Sequence, residues 1–395
     1  MPTGVTDSTL PAPDEAQRAH SDVLRARLRE RIAAQGGWLR FDEYLQLVLY
    51  APGLGYYAAG ARKFGADGDF VTAPELSPLF GGVIARQLAA AQPRDTLLEL
   101  GAGSGALAET LLLRLQALDA LPREYLILEV SAELRERQQQ RLAALPSPLA
   151  ARVRWLERLP EEPWRGIVLA NEVADALPFR RVRWQGGAWQ ELGVAVAVDD
   201  SLQWQGRMPA ESLRAELERL FGATPALPDG YCTELCPAMG PWLAALAAPL
   251  QQGALLLFDY GLGRAELYHE SRSDGTLRCH YRHRAHDDPF LHPGLQDITA
   301  WVDFTRLAES ASDAGLEVAG YCTQSAFLLA GGLGAELDEA VAGARSPQEA
   351  LQRRAEAQQL LLPGEMGETF KALLLTRGAA APWSAFTLQD LRRLL

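Results

Sequence analysis

The chain has little of what marks secreted, membrane-spanning or polyanion-binding proteins. Four cysteines in 395 residues are too few for a disulfide scaffold, so we expect reduced thiols. Lysine and arginine number 38 against 50 acidic residues, and the net charge of −12 offers no general cationic surface to nucleic acid. No apolar run reaches the roughly 18 residues that a membrane-spanning helix needs. We therefore predict neither a nucleic-acid partner nor membrane insertion.

The N-terminal segment lacks the cationic and then apolar order of a secretion signal. Asp7, Asp14 and Glu15 argue against an organelle transit peptide as well, because such peptides are poor in acidic residues. We therefore predict a cytoplasmic protein. Residues 1–19, rich in Pro, Thr, Ser and Asp, are predicted to form a disordered tail.

Apolar residues at helical spacing predict a helical N-terminal cap over residues 20–92. Leu24 and Leu28 share one face of its first helix. Further helices are predicted at 41–50 and from about 74 to 88, where a proline is well tolerated in the first turn.

From residue 96 onward, short apolar segments alternate with amphipathic helices. Strands that are apolar on both faces predict an α/β fold whose parallel sheet is covered on both sides. Between the fourth and fifth strands, alternating residues and glycine turns at 181–207 predict hairpins inserted at the edge or top of this sheet. The predicted strands are 96–100, 125–130, 153–156, 167–170, 254–258, 316–322 and 370–376.

The strongest local signal is a glycine turn between the first of these strands and its helix. Gly101, Gly103 and Gly105 allow a tight turn and the close approach of a ligand. The following helix offers free N–H groups, and Glu129, which ends the second strand, can accept hydrogen bonds from both ribose hydroxyls. The pattern predicts an adenosine-bearing cofactor. A turn that serves only chain reversal is the alternative.

The spacing of the turn bears on which cofactor it holds. Gly-x-Gly-x-Gly behind Glu99 fits S-adenosylmethionine better than NAD, whose fingerprint is met only loosely with Ala106 in third place. About ninety residues precede the turn, and a pair of strands closes the chain. That order suits a methyltransferase sheet better than a dinucleotide-binding one.

Five motifs in order give the chain a resemblance to a known family, over residues 20–376. It resembles the MidA-like class I S-adenosylmethionine-dependent methyltransferases, which include the mitochondrial arginine methyltransferase that assists respiratory complex I assembly. The cofactor turn departs from the family in Ala102 and Ser104, which are small and should not block binding. The motifs are 68–77 (Gly-Asp-Phe-Val-Thr-Ala-Pro-Glu-Leu-Ser), 98–105 (Leu-Glu-Leu-Gly-Ala-Gly-Ser-Gly), 170–178 (Ala-Asn-Glu-Val-Ala-Asp-Ala-Leu-Pro), 259–261 (Asp-Tyr-Gly) and 294–304 (Gly-Leu-Gln-Asp-Ile-Thr-Ala-Trp-Val-Asp-Phe).

The resemblance implies a Rossmann-like class I methyltransferase sheet of seven strands, the last antiparallel, with a helical cap and inserted substrate-side elements. It implies S-adenosyl-L-methionine as cofactor and an arginine of a protein as acceptor, a respiratory-complex subunit being one candidate. The methyltransferase domain would comprise 93–180 and 231–377, with inserted hairpins and a helix at 181–230 and a C-terminal tail at 378–395.

Site residues follow from this chemistry. Methyl transfer from a sulfonium needs acceptor nitrogen, methyl carbon and sulfur in line. A guanidinium is a poor nucleophile, and carboxylates that pair with its other nitrogens would orient the attacking one. Glu172 is predicted as its main partner, with Asn171 and Asp175 beside it. Alternatively, Asp175 caps a helix and Asn171 fixes a turn. Asp259 either faces the acceptor or fixes a loop.

Asp69 and Phe70 stand just before the helix predicted from about 74 to 88. Either they form a lid over the cofactor, with Asp69 near its amino group, or they form a turn that starts the helix, with Phe70 in the core. Cofactor binding is therefore assigned to Glu99, Gly101, Gly103, Gly105, Glu129 and Asp69.

Two further clusters of residues could have a function or could serve only packing. No metal site is predicted, because the cluster of Cys279 with four histidines matches no common zinc spacing and has arginines within it. Trp184, Trp189 and Trp204 could dock a partner on the hairpins, or pack within the sheet. The histidines are His280, His283, His286 and His292.

Two other functions stay open at this point. One is a respiratory-complex assembly factor that keeps the fold without catalysis. The other is an NAD-dependent oxidoreductase, which would use the same glycine turn and acid. The oligomeric state is not predicted.

Overall fold

The computed structural model describes residues 10–58, 71–91, 95–378 and 383–395. The helices are α1 (Glu15–Ala34), α2 (Phe41–Tyr50), α3 (Ala73–Leu76), α4 (Pro78–Ala91), α5 (Ala106–Ala117), α6 (Ala132–Ala143), α7 (Ser147–Ala150), α8 (Glu211–Phe221), α9 (Met239–Ala247), α10 (Arg264–Leu267), α11 (Phe304–Asp313), α12 (Gln324–Ala330), α13 (Leu333–Ala342) and α14 (Pro347–Leu361). The strands are β1 (Leu39–Arg40), β2 (Thr96–Leu100), β3 (Glu124–Leu128), β4 (Val153–Leu156), β5 (Trp164–Asn171), β6 (Arg180–Gln185), β7 (Ala188–Val196), β8 (Leu202–Arg207), β9 (Cys232–Leu235), β10 (Leu250–Leu262), β11 (Arg278–Tyr281), β12 (Arg284–His286), β13 (Asp297–Thr299), β14 (Val302–Asp303), β15 (Glu317–Thr323) and β16 (Phe370–Arg377).

The chain divides into two compact units. The first takes residues up to 63 together with 176–238 and 265–301, and the second takes 64–175, 239–264 and 302–395. Within the described ranges, no helix combines the length and the apolar character that a bilayer crossing requires.

The second unit is built on one mixed sheet in the order β15-β16-β10-β5-β2-β3-β4. Strands β4, β3, β2, β5 and β10 run parallel, and β16 runs antiparallel to both of its neighbours. This confirms the predicted α/β class and the seven-stranded sheet with the last strand antiparallel. A two-residue strand, β14, adds to the end of β10.

The core of this unit explains why its strands are apolar on both faces. All five residues of β2 are buried, and helices α4 and α5 pack their apolar stripes against the sheet. Leu97, Ile127 and Leu256 belong to the same buried cluster, drawn from three strands of the sheet. A strand covered on both faces has no polar face, which is why its sequence is a continuous run of apolar residues and does not alternate between apolar and polar ones.

The first unit carries two antiparallel sheets. Strands β6, β7 and β8 form the predicted hairpins, paired with β1 and β9, and β11 to β13 form a second small sheet. The hairpins were expected at the edge or top of the parallel sheet. Their strands instead pair antiparallel with one another and with β1 and β9, because the alternating pattern of β6 and β7 needs antiparallel partners of its own.

The predicted disordered tail is too long at its C-terminal end. Helix α1 begins at Glu15, since the Asp14 side chain accepts from the backbone N–H of Gln17 and the Gln17 side chain returns a bond to Asp14. This capping box satisfies N–H groups that would otherwise be left open at the helix start. At the other end, Trp383 and Ala385 are buried in the core of the second unit.

Candidate functional site

Four parallel strands of the second unit end at one edge of its sheet, and the predicted site residues follow them. The glycine turn follows β2, Glu129 follows β3, and Glu172 follows β5. Asp259 lies in β10 one residue beyond Phe258, which pairs with Asn171 at the end of β5. Ligands of open α/β sheets bind at this edge. The structure therefore brings the described acids and glycines to one side of one sheet.

The glycine turn has a backbone that other residues rarely adopt. Gly101, Gly103 and Gly105 have φ angles of 59°, 53° and 84°, all in the left-handed region. Gly105 is the N-cap of α5 and has no side chain to cap it. Within the described residues, no N-cap side chain therefore covers the first N–H groups of α5, which leaves donors of the kind that a polar ligand uses.

Ser104 ties the turn to its surroundings. Its hydroxyl contacts the carboxylate of Glu75 in α3 and accepts a 2.6 Å hydrogen bond from Nη1 of Arg141 in α6. Glu75 belongs to the motif at 68–77, so the structure connects the first two motifs directly. Sequence reasoning treated Ser104 only as a small residue and missed this role.

Glu129 is buried and oriented. Its Oε1 accepts from the backbone N–H of Ser131 at 2.9 Å, and its Oε2 accepts from Nε2 of Gln138 at 2.9 Å. Sequence analysis did not predict a role for Gln138, although its position in the helical pattern indicated one. It lies four residues from both Leu134 and Leu142 on the buried face of α6, where an uncharged polar residue must find partners.

Glu99 is buried within β2. Its carboxylate is 3% exposed and accepts a 2.6 Å hydrogen bond from the Tyr125 hydroxyl. Burial raises the pKa of Glu99 to about 7, against the opposing effect of the Tyr125 bond, with the charge of Glu129 adding to the rise. Glu99 lies in β2, two residues before the first glycine of the turn. Its direct contact with a cofactor stays a prediction.

Asn171 and Glu172, predicted to face the acceptor, lie together at the end of β5. Nδ2 of Asn171 donates to Oε1 of Glu172 at 2.9 Å, and the Glu172 N–H donates to the carbonyl of Phe258 at 2.9 Å. Glu172 has a φ of 54°, an unusual conformation for a residue with a long side chain. Among the described residues, the buried Oδ1 of Asn171 finds no hydrogen-bond partner.

Asp259 fixes the loop that follows β5. Its Oδ2 accepts from the N–H groups of Ala174 and Asp175 at 2.9 and 3.2 Å. Burial raises the pKa of Asp259 well above its usual value, and the charges of Asp175 and Glu172 raise it further. Of the two hypotheses for Asp259, the loop-fixing one matches these bonds.

The remaining candidates are as follows. Asp69 and Phe70 lie outside the described residues. Cys279 is buried in the first unit, where burial raises its thiol pKa well above the usual value, and burial lowers the pKa of His280 to about 4. Across the ranges that the structure covers, no group of three or more histidines, cysteines or acids is placed to hold a metal ion.

The three tryptophans of the hairpins have aromatic neighbours within the first unit. Trp184 meets Trp189 edge to face, with ring centroids 5.4 Å apart, and Trp189 packs on Phe221. Trp204 packs between Phe41 and Phe290. These contacts favour packing over a free docking face.

The edge fits an adenosylated methyl donor. Glu129 offers a carboxylate at the end of the second strand, and the uncapped start of α5 lies beside a turn with no Cβ atoms at 101, 103 and 105. The carboxylate can accept hydrogen bonds from ribose hydroxyls, and the N–H groups at the helix start can donate to a closely approaching polar ligand.

Comparison with known proteins points to one family of methyltransferases. The profile of the family described as "Putative S-adenosyl-L-methionine-dependent methyltransferase" matches residues 79–322. The chain is 30% identical to the mitochondrial protein arginine methyltransferase NDUFAF7 homolog of Drosophila melanogaster, over 94% of this chain and 88% of that protein. It is also 30% identical to mitochondrial NDUFAF7 of Mus musculus, over 85% of this chain and 80% of that protein.

A solved structure matches along almost the whole chain. It is that of a COG1565 superfamily member from Burkholderia thailandensis bound to S-adenosyl-homocysteine. The two are 42% identical, with a TM-score of 0.92, and the match covers 98% of this chain and all of the other.

The comparisons correct one prediction. We predicted a cytoplasmic protein from the acidic N-terminal segment, and that prediction is wrong, because the curated relatives are mitochondrial proteins. The inference failed because the charge of a short N-terminal segment is weak evidence on location.

Proposed function

The chain belongs to the S-adenosyl-L-methionine-dependent methyltransferase family whose profile it matches, and we propose that it methylates an arginine side chain of a protein substrate. The predicted family, the methyltransferase activity and the cofactor S-adenosyl-L-methionine are confirmed. The alternative of an NAD-dependent oxidoreductase is dropped.

The arrangement of acids supports arginine as the acceptor. The charges of Glu172 and Asp175 reach Asp259 strongly enough to raise its pKa, so the edge holds mutually repelling carboxylates. A guanidinium relieves such repulsion and can donate hydrogen bonds to several acceptors at once, since it has five N–H donors in a planar fork. A neutral acceptor would leave the repulsion in place.

The observation that carries the proposal is the pair Asn171 and Glu172. Asn171 turns its amide nitrogen to Glu172, and its buried Oδ1 is left as an acceptor with no partner among the described residues. A buried acceptor without a donor is costly, so a donor from a ligand is expected there. A guanidinium N–H meets that need while Glu172 pairs with a second nitrogen.

The residues then act by position and charge. The cofactor, when bound, supplies a methyl group on a sulfonium centre. Glu172 and Asn171 would hold the guanidinium, and Glu172, by pairing with the other nitrogens, would concentrate the positive charge on them and leave the lone pair on the attacking nitrogen. That nitrogen would take the methyl group as the bond from methyl carbon to sulfur breaks, and its proton would pass to solvent. Asp259 would act indirectly, by fixing the 174–175 backbone. These roles stay predictions.

The matched relatives support the substrate class, because both are named protein arginine methyltransferases. We extend the class to this chain as a proposal. A respiratory-complex subunit remains a candidate for the methylated protein.

The test uses labelled S-adenosylmethionine and a lysate from a strain lacking this protein. We expect wild type to label a protein band on arginine, identified by mass spectrometry, and Glu172→Gln to lower the labelling rate at least a hundredfold. Binding of S-adenosyl-homocysteine to Glu172→Gln, measured by calorimetry, should match wild type. Label on another residue type would overturn the arginine proposal.

A second arm separates catalysis from the assembly-factor alternative. The Glu172→Gln variant is expressed in the deletion strain in place of wild type. Failure of the variant to restore the cellular phenotype supports a catalytic role. Full restoration by a variant that no longer labels protein would favour the non-catalytic alternative.

A further inference from the structure

Gln138 is a fully buried amide that joins two predicted cofactor elements. It lies on α6, outside every motif singled out in the sequence, and its relative exposure is 0%. Its Nε2 donates to Oε2 of Glu129 and to the carbonyl of Gly103, both at 2.9 Å. One side chain thus spans the ribose-side carboxylate and the glycine turn.

The orientation of this amide is fixed by a third residue. Nε1 of Trp155, in β4, donates to Oε1 of Gln138 at 3.0 Å. An indole N–H can only donate, so it selects the amide oxygen and leaves both amide hydrogens for Glu129 and Gly103. Each polar atom of the Gln138 amide therefore has a suitable partner.

Simple stability does not require this arrangement. An apolar residue between Leu134 and Leu142 would continue the buried face of α6 without three hydrogen bonds to satisfy. The partners of Gln138 are instead the carboxylate and the turn that hold the two ends of an adenosine site. A satisfied buried network is rigid, and rigidity in such a network fixes the spacing of the groups it joins.

We propose that Gln138 is a positioning residue for S-adenosylmethionine, which sets the Glu129 carboxylate at its working distance from the glycine turn. It acts through Glu129 and Gly103. The proposal concerns cofactor affinity and goes beyond the proposed arginine substrate. It rests on the predicted role of Glu129.

The first test measures S-adenosyl-homocysteine binding by calorimetry, with no acceptor protein needed. Gln138→Met keeps the length of the side chain and removes its hydrogen bonds, and we expect affinity to fall at least about tenfold. Leu142→Ala, one turn away on the same buried face, is the matched control for loosened packing. We expect it to lower the melting temperature and leave affinity within about twofold of wild type.

A double-mutant cycle distinguishes positioning from general support. If Gln138 acts mainly through Glu129, Gln138→Met should weaken binding by less than about threefold in a Glu129→Ala background. Trp155→Phe, which frees the amide to rotate, should give an intermediate loss. Should Gln138→Met cost the same factor with and without Glu129, or should Leu142→Ala weaken binding equally, the proposal is overturned. A failed arginine-labelling experiment would leave these binding results unaffected.

Discussion

The hydroxyl of Tyr125 donates a 2.6 Å hydrogen bond to Oε2 of Glu99, across the neighbouring strands β3 and β2. Both side chains are buried, and the bond lies beneath the glycine turn. It provides one partner to a carboxylate whose burial otherwise favours the neutral form. The pH dependence of stability should therefore report on Glu99.

Glu99 should make the fold less stable as pH rises toward neutrality. Its pKa is raised from 4.5 to about 7 in the folded state. Between these values the unfolded chain loses the proton first, so stability present below pH 4.5 is lost as pH rises to about 7. At about 1.4 kcal/mol per pKa unit, the loss is about 3 kcal/mol.

The matched variant is Glu99→Gln, which cannot ionise. Urea unfolding at pH 5 and pH 8 should show wild type losing about 3 kcal/mol more than the variant between the two conditions. Parallel pH profiles for the two proteins would contradict the raised pKa.

Gly103→Ala should weaken S-adenosyl-homocysteine binding at least about tenfold. A Cβ atom at a φ of 53° is strained by roughly 1–2 kcal/mol, and the turn can relieve that strain only by moving the backbone that faces the ligand. Gly186, in the turn between β6 and β7 of the first unit, has a φ of 60° and open space around it. Gly186→Ala thus imposes a similar strain elsewhere, and calorimetry should find its affinity unchanged. Equal affinity losses would mean that strain alone, at either site, weakens binding.

Glu172→Gly should make the protein more stable and less active. Glycine removes the cost of a left-handed φ of 54°, roughly 1–2 kcal/mol, and the loss of the Asn171 hydrogen bond offsets part of it, so we expect a net gain of under about 1 kcal/mol. Asp200→Gly offers the comparison, because Asp200 has a φ of 67° in an exposed turn. It should gain stability in the same way and keep full methylation activity. If Glu172→Gly methylates at the wild-type rate, the strained residue has no role in the reaction.

Glu336→Ala should destabilise the second unit by about 3 kcal/mol. Its buried carboxylate pairs with Arg86 of α4 and Arg114 of α5, and removal leaves both guanidinium groups without their buried partner. Glu339 pairs with the same arginines from an exposed position, so Glu339→Ala should cost under about 1 kcal/mol. Thermal unfolding of the two variants gives the comparison. Similar losses would show that burial does not set the strength of this network.

The local pattern of apolar residues was sufficient to predict most strands of the parallel sheet. Runs such as 96–100 and 254–258 predicted buried parallel strands because a strand covered on both faces has no polar face to show. The bounds were less well predicted. Strand β10 extends from Leu250 to Leu262, since pairing with β5 continues back to Leu250 across an irregularity at Gln251, and pairing with β16 begins at Gly253. Hydrogen bonding to neighbours, which no local pattern encodes, decided its length.

The sequence placed the predicted acceptor residues at one sheet edge but did not give the hydrogen bonds between them. Asn171, Glu172 and Asp175 were chosen because they follow a strand that ends at the ligand edge. That Asp259 binds the 174–175 backbone from 84 and 85 residues away follows only from the pairing of β5 with β10, and the bond from Asn171 to Glu172 depends on side-chain orientation.

The sequence by itself determined the elements of this protein: a parallel sheet, a left-handed glycine turn and acids at strand ends. Each depends on residues within a few positions of one another, through backbone sterics and apolar periodicity. Only the tertiary structure decided that Gln138 joins Gly103 to Glu129, because that contact spans 35 residues and exists only when α6 packs beside β2 and β3. The hydrogen-bond partners of a buried amide are distant in sequence, so only the folded structure identifies them.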